Sequence, residues 1–400
     1  MLRSLAVGLA GVLLAGTAIA QISGDVVRIG ILTDMSASSA DSTGPGSVEV
    51  ARMAAAEVNN TVAGKRIEIV SGDHQQKPDV GASIARRWFD AEGVDVIADL
   101  PHSGVALAVQ ELAKNANKVA LISSAGTSLL SGKNCSPNGV HWTFDTYALS
   151  RGTAAAVLRQ GAKSWAFLTA DYAFGHALEK DAAEYVSQNG GRVLASVKHP
   201  FNASDFASFL LQLQGTKAEV IGLATAVGDL VNAVKQASEF GIQAGGQKLA
   251  ALLMLDSDVH AIGLQATQGT YLTTPFYWDM NDETRAFSAK FREKFGRPPS
   301  FLQAGVYGQV RHYLKAVQAA GTDDGRTVVA KMKEIPVDDM FTKGARIRDD
   351  GRVFRDMYLA QVKSPAESKG PWDYFKIVAT IPAADVTLPL EKSECPLVKK

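Results

Sequence analysis

Strand-like and helix-like hydrophobic patterns take turns along this chain, twice over, and that alternation constrains the fold more than any other feature. From residue 26 the β-rich run Val26–Thr33 is followed by an alanine-rich stretch of helical spacing, Ser47–Asn59. A strand over Ile67–Gly72 precedes a helix holding Ile84, Trp88 and Phe89, which Asp79 can cap and Gly93 ends. Strand Val94–Ala98, helix Val105–Asn115 and strand Val119–Ser123 continue the series. After residue 150 it restarts with strand Ser164–Thr169, helix His176–Asn189 closed by Gly190-Gly191, strand Arg192–Lys198 and helix Asp205–Gln214. Strand Glu219–Ala224, helix Asp229–Phe240 stopped by Gly241, and strands Leu249–Leu255 and Thr270–Thr273 complete the second series. Alternation of this kind implies parallel sheets with right-handed crossovers, and two series imply two doubly wound α/β lobes.

The later segments add helices Asp282–Phe295 and Phe301–Ala320, with Gly296-Arg-Pro-Pro299 as the break between them. Ala345–Arg348 and Val353–Val362 around Asp349-Asp-Gly351 have the pattern of a hairpin. From Ser364 the chain is rich in Pro, Lys and Glu and is expected to lie over the surface.

At the N-terminus, Arg3, the apolar stretch Leu5 to Gly16 and the small-residue site Ala18-Ile19-Ala20 form a secretory signal peptide over residues 1–20, with Gln21 starting the mature chain. The apolar stretch is about a dozen residues, short of the ~18–20 that span a bilayer. The 41 Lys and Arg balance 41 Asp and Glu, with no basic run beyond Lys399-Lys400, so nothing has the footprint of a nucleic-acid binder. In an oxidising compartment the two cysteines, Cys135 and Cys395, are a disulfide pair that ties the C-terminal tail to the first lobe; two free thiols are the alternative.

If the strands are parallel, the loops at their carboxyl ends gather at one edge of each sheet, and two such edges make a cleft. In Asp99-Leu-Pro-His-Ser103 and Ser123-Ser-Ala-Gly-Thr127, small hydroxyl residues and helix-start N–H groups suit a small polar or anionic ligand. Ser103 is either a ligand contact or a plain N-cap; His102 beside it is a ligand-adjacent histidine. Thr127 has the same two readings, and Ala125-Gly126 before it permits close backbone approach. In the second lobe, the strand-end loops supply Tyr172, Phe174, Thr225 and Tyr277, aromatics and a hydroxyl fitted to a half-polar pocket or to packing beneath loops. Tyr147, near the crossing between lobes, is a hinge residue or a cleft wall, and Asp256 and Asp258 either meet a ligand cation or cap a helix. His102 and Ser103 are adjacent in sequence, which rarely gives a catalytic pair, and there is no Gly-x-Ser-x-Gly elbow. The seven histidines lack ligand spacing, and no Gly-x-Gly-x-x-Gly or P-loop occurs, so no metal, nucleotide or other cofactor is called for.

In order and spacing, several segments resemble the leucine/isoleucine/valine-binding family of periplasmic ABC-transporter solute receptors. They are Val27-Arg-Ile-Gly-Ile-Leu-Thr-Asp-Met-Ser36, Gly44-Pro-Gly-Ser-Val-Glu-Val-Ala-Arg-Met53, Asp73-His-Gln-Gln-Lys-Pro78, Ile122–Thr127 and Asp171-Tyr-Ala-Phe-Gly175. The resemblance implies a type I periplasmic binding fold: two lobes, three hinge crossovers, and a ligand enclosed on closure. It implies a soluble periplasmic monomer, no catalysis, a small-molecule ligand and a membrane permease as partner. It assigns the ligand carboxylate to Ser103, Thr127 and the backbone of Ala125, and places the family's second-lobe aromatic at Phe174. The family's ammonium-binding Glu has no clear match; Met254-Leu-Asp-Ser-Asp258 offers only Asp. An aromatic or aliphatic carboxylate therefore rivals an amino acid as ligand. A ligand-sensing receptor of the same fold is the alternative function. The expected division is a first lobe of 26–146 and 278–336, a second of 147–277 and 337–363, and a tail of 364–400 packing back on the surface.

Overall fold

The run Val26–Thr33 is β1 of a six-stranded sheet in the computed structural model, which describes residues 21–399; the expected signal peptide lies outside the described residues. There follow α1 (Gly44–Ala56), β2 (Thr61–Val62), β3 (Lys65–Asp73), α2 (Pro78–Asp90), β4 (Val96–Asp99), α3 (Ser103–Asn115), β5 (Val119–Ile122) and β6 (Gly139–His141). The sheet order is β2-β3-β1-β4-β5-β6, parallel except for β2, with Ile31 opposite Ala98 and Ile97 opposite Ala120. Side chains alternate between the two faces as the pleat requires. Leu32, Ile97 and Ile122 pack with Trp88 and Val105 of α2 and α3. Ile31, Val96, Ala98 and Leu121 face the other way, into a core shared with α1 and a later helix. Burial on both faces is why these strands are continuous apolar runs.

The second lobe holds α4 (Thr146–Arg159), β7 (Ser164–Ala170), α5 (Ala173–Gln188), β8 (Arg192–His199), α6 (Ala207–Gly215), β9 (Val220–Ala224), α7 (Val227–Glu239), β10 (Lys248–Ala251), α8 (Asp256–Ile262), α9 (Leu264–Thr267) and β11 (Tyr271–Thr274). Its parallel sheet runs β10-β9-β7-β8. The chain then returns through α10 (Asp282–Phe295), α11 (Phe301–Ala320) and α12 (Gly325–Glu334), with α11 packed along α1.

Beyond α12 the expected division changes. The elements are β12 (Val337–Asp339), β13 (Thr342–Ile347), β14 (Val353–Phe354), β15 (Met357–Val362), β16 (Phe375–Ile381) and α13 (Ala383–Val386). Residues 337–354 pack on the first lobe, not the second. β12 lies on α11, β13 on α12, and Arg352 bridges to His141 at the sheet edge. Arg352 fixes this attachment: its Nε donates to Asp145 Oδ2 at 2.7 Å, and Nη1 donates to the carbonyls of His141 and Trp142. The hairpin's second arm is therefore split, β14 pairing with β13 and β15 joining β11 in another sheet. The tail is not wholly irregular, since β16 pairs antiparallel with β15. The chain crosses between lobes three times: between β6 and α4, between β11 and α10, and between β14 and β15. Cys135 and Cys395 form the expected disulfide, their Cα atoms 5.6 Å apart.

Two helix starts differ from expectation. Lys77, not Asp79, occupies the N-cap of α2; Pro78 opens the helix and Asp79 sits in its first turn, where its charge suits the helix dipole. The N-cap of α3 is His102, not Ser103: its Nδ1 accepts from the N–H groups of Gly104 at 3.1 Å and Val105 at 3.3 Å.

Candidate functional site

The carboxyl edges of the two parallel sheets face one another. On the first-lobe side, Asp34 organises the loop after β1. Its carboxylate accepts from the N–H groups of Ala37 and Ser39 and from Gln76 Nε2, each at 2.8 Å. At the end of β4, Asp99 (φ +84°) and Leu100 (φ +63°) take left-handed backbone conformations that non-glycine residues adopt at a cost. That turn redirects the chain so that His102 and Ser103 start α3 at the cleft. Beyond β5, Ser124 Oγ donates to the Asp99 carboxylate, and the Ala125 carbonyl is held by His141 Nε2 at 2.9 Å. The Thr127 N–H donates to Ser103 Oγ at 3.4 Å, while Thr127 Oγ1 is buried with no partner. Burial pushes the Asp99 carboxyl up to about 6, against the hydroxyls of Ser124, Thr33 and Ser47, which lower it.

The facing wall belongs to the second lobe. Tyr172 and Phe174 follow β7, Phe201 follows β8, Ala226 and Val227 open α7, and Leu253 and Leu255 follow β10. The lobes touch across the cleft. His102 stacks on Tyr172 with ring centroids 4.9 Å apart and meets Phe201 edge-on at 5.3 Å. Burial, then the nearby charge of His74, lowers His102 to about 4, so its ring is neutral near pH 7 and free to accept at Nδ1. Burial also raises the Tyr172 phenol above its ordinary value, with Asp229 adding to it.

Between the walls lies about 460 Å³ of space not filled by protein, its open mouth included. Its polar side chains are Ser39, Gln76, Ser103, Ser124 and Tyr172; no Lys, Arg, Asp or Glu lines it. Phe144 and Leu302 form part of the floor, and Ala125 and Gly126 expose backbone. A charge-free site of hydroxyls and amide dipoles can hold a carboxylate by hydrogen bonds to its oxygens.

Six residues expected from sequence come together here: His102, Ser103, Ala125, Gly126, Tyr172 and Phe174, with Thr127 and Thr225 buried immediately behind the lining. Thr225 Oγ1 also lacks a partner. Three residues lie elsewhere. Tyr147 faces a separate cavity beside Arg151. The Tyr277 hydroxyl donates to the Trp372 carbonyl at 2.9 Å and accepts from the Tyr374 N–H at 3.0 Å, anchoring the chain before β16. Asp258 accepts from the Leu255 N–H at 2.8 Å, so it caps α8 and does not meet a ligand cation. Sequence reasoning missed Gln76, Phe144, Phe201 and Leu302. Gln76 reaches the site only because Gln75 and Gln76 form a left-handed turn. Phe201 sits two residues beyond the end of β8, past Pro200, where no motif marks it.

Among the described residues no His, Cys, Asp and Glu grouping has the arrangement of a metal site, and no helix is long and apolar enough to cross a membrane. A larger groove on the outside of the first lobe, between α1, α10, α11 and the β12–β13 turn, is bridged by the ion pairs Lys294–Glu49 and Arg311–Glu57 and shares no lining residue with the cleft.

Comparison with known proteins gives a consistent picture. The family model described as periplasmic binding protein matches residues 26–371. A periplasmic binding protein from Burkholderia mallei is 48% identical, with a TM-score of 0.92 over 94% of this chain and 100% of that one. A branched chain amino acid ABC transporter periplasmic ligand-binding protein from Burkholderia xenovorans LB400 is 39% identical, with a TM-score of 0.84 over 93% of this chain and 100% of that one. Leu/Ile/Val-binding protein homolog 6 of Brucella suis biovar 1 (strain 1330) is 26% identical over 324 residues, 78% of this chain and 80% of the relative.

Proposed function

This chain belongs to the periplasmic binding protein family, solute receptors and not enzymes, and from that premise we propose that it captures a small apolar monocarboxylate without an ammonium group and delivers it to the permease of an ABC importer. The observation that carries the ligand class is the lining of the cleft: hydroxyls and backbone N–H groups on one side, aromatic and aliphatic side chains on the other, and no carboxylate. An α-amino acid would bring an ammonium between these walls with no carboxylate lining them to meet it, and a charge desolvated without a partner is strongly unfavourable. A leucine binding protein from Thermotoga maritima and a Rhodopseudomonas palustris solute binding protein in complex with benzoate share the fold. At 20% and 18% identity they speak to the fold alone, so the choice rests on the cavity.

In this reading Ser103 Oγ, Thr127 Oγ1 and the N–H groups around Gly126 take the carboxylate. Phe174, Phe201, Val227 and Leu253 enclose the apolar body. Ligand bridging the two lobes shifts an open–closed equilibrium about the three crossovers. Water exclusion on closure strengthens the hydrogen bonds to the carboxylate.

Matched ligands test the class. Titration calorimetry of the purified protein should show 4-methylpentanoate binding at least tenfold tighter than leucine, which has the same body plus the ammonium. 3-Phenylpropanoate against phenylalanine should give the same order. Tighter binding of the amino acid in both pairs would overturn the reading.

A further inference from the structure

On the back of the second lobe, away from the cleft, α4, α5 and the C-terminal tail border an open pocket of about 1200 Å³, the solvent at its mouth included. Its basic side chains are Arg151, Arg159 and Lys392, against a single carboxylate, Asp385. None of the three cations forms a salt bridge among the described residues, whereas Arg52 of α1, Arg285 and Lys294 of α10 and Lys331 of α12 each find one. Arg151 is the centre. Its guanidinium lies over the Tyr147 ring at 4.2 Å and faces the Tyr185 ring at 5.1 Å, and its Nε is buried with no acceptor. Two tyrosine rings fix the plane of the guanidinium, so its hydrogen-bonding edge is held in place before any ligand arrives.

We propose that this cavity is a second ligand site, which takes an organic molecule bearing a phosphate or carboxylate group. A planar guanidinium offers paired N–H donors that match two oxygens of such an anion. Arg159 and Lys392 add positive charge at the rim, and Gln188 and Asn189 add neutral polar groups. Ile381, Val386 and Pro389 give the cavity an apolar side, which favours an anion carried on a hydrophobic body over a bare inorganic ion. The Nε–H of Arg151 has no acceptor in the protein, and an anion at this edge supplies one. The site is independent of the proposed function of the cleft. It shares no lining residue with the cleft, and its failure would leave the cleft reading intact.

The probes are phenyl phosphate and inorganic phosphate, titrated into the full mature protein by calorimetry in the presence and in the absence of 10 mM 4-methylpentanoate. Phenyl phosphate should bind with a stoichiometry of one, at least tenfold tighter than inorganic phosphate, and weaken as salt is raised. Arg151→Lys, which keeps the charge but loses the planar fork, should weaken it at least fivefold. The exposed Arg159→Gln, whose folding is not at issue, should weaken it by a smaller factor, and Ser103→Ala should leave it unchanged. Absence of saturable binding at 10 mM phenyl phosphate, or affinity unchanged in both arginine variants, would overturn the proposal.

Discussion

Gly126 is where the two halves of the cleft come closest to the backbone. A Cβ placed there would lie 2.6 Å from Phe144 Cε2 and 2.9 Å from Phe174 Cε2. Carbon atoms in comfortable contact are about 3.5–4.0 Å apart, so Gly126→Ala requires the rings to retreat by roughly 0.9 and 0.6 Å. The residue is not among the glycines with positive φ, so alanine brings a purely steric penalty. Phe144 stands 1% exposed and edge-on to Phe301 at 5.2 Å, with nowhere to go in any arrangement of the lobes. Phe174 belongs to the second lobe and clashes only when the lobes are shut. Overpacking of this size costs about 1–3 kcal/mol. Divided in proportion to the overlaps, about 0.4–1.2 kcal/mol falls on the closed state alone, which weakens binding roughly two- to eightfold. The remainder lowers stability with or without ligand. Calorimetry with 4-methylpentanoate and thermal unfolding of the ligand-free protein measure the two parts separately. An unchanged Kd together with a lowered Tm would show that Phe174 does not close on Gly126. Unchanged values of both would refute the packing argument altogether.

Three further outcomes are expected. Thr127→Ala removes a buried hydroxyl that has no protein partner and should weaken carboxylate binding by about 1–3 kcal/mol while leaving Tm nearly unchanged; a large fall in Tm would make Thr127 structural. Burial pushes the Asp258 carboxyl up to about 7, so the folded state holds its proton where the unfolded chain has lost it, and stability falls as pH rises from about 4 to 7. Asp258→Asn should therefore gain on the parent across that window, by up to about 1.4 kcal/mol per pH unit, and urea unfolding at several pH values would show a flat difference if the reasoning fails. Arg352→Met strands the buried Asp145 carboxylate, which Arg352 holds below its usual range despite burial; a loss of about 3–5 kcal/mol, larger at pH 8 than at pH 4, is expected from chemical unfolding.

Most of the scaffold was legible because central parallel strands announce themselves as apolar runs and their flanking helices as periodic ones. The strand-end loops then followed from topology, which is why His102, Ser103, Gly126, Tyr172 and Phe174 converge as expected. What escaped was decided by tertiary contacts. Residues 345–362 carry an ordinary hairpin pattern, and no local signal shows that Arg352 holds β14 against the first lobe while β15 joins β11 in the second. β6 is three residues long, too short for periodicity to register, and β16 hides in a tail whose composition suggests irregular structure. Tyr147 and Tyr277 share the chemistry of pocket aromatics, but one stacks on an arginine and the other clamps a neighbouring segment. No local pattern separates these uses of the same side chain.

The bond between Cys135 and Cys395 has a mechanical consequence. The tail leaves the second lobe at the end of β16, packs α13 on α4, is gripped at the Leu388 carbonyl by Arg348, and is then welded to the first lobe. Besides the three crossovers, the tail is thus a further, covalent link between the lobes, and under the hinge closure proposed above it would limit how far they swing apart. A receptor restrained in this way searches fewer open arrangements before it shuts, and less motion is frozen out when the guest arrives. Cutting the strap with a reductant would widen the empty molecule in small-angle scattering while leaving the shut form the same size.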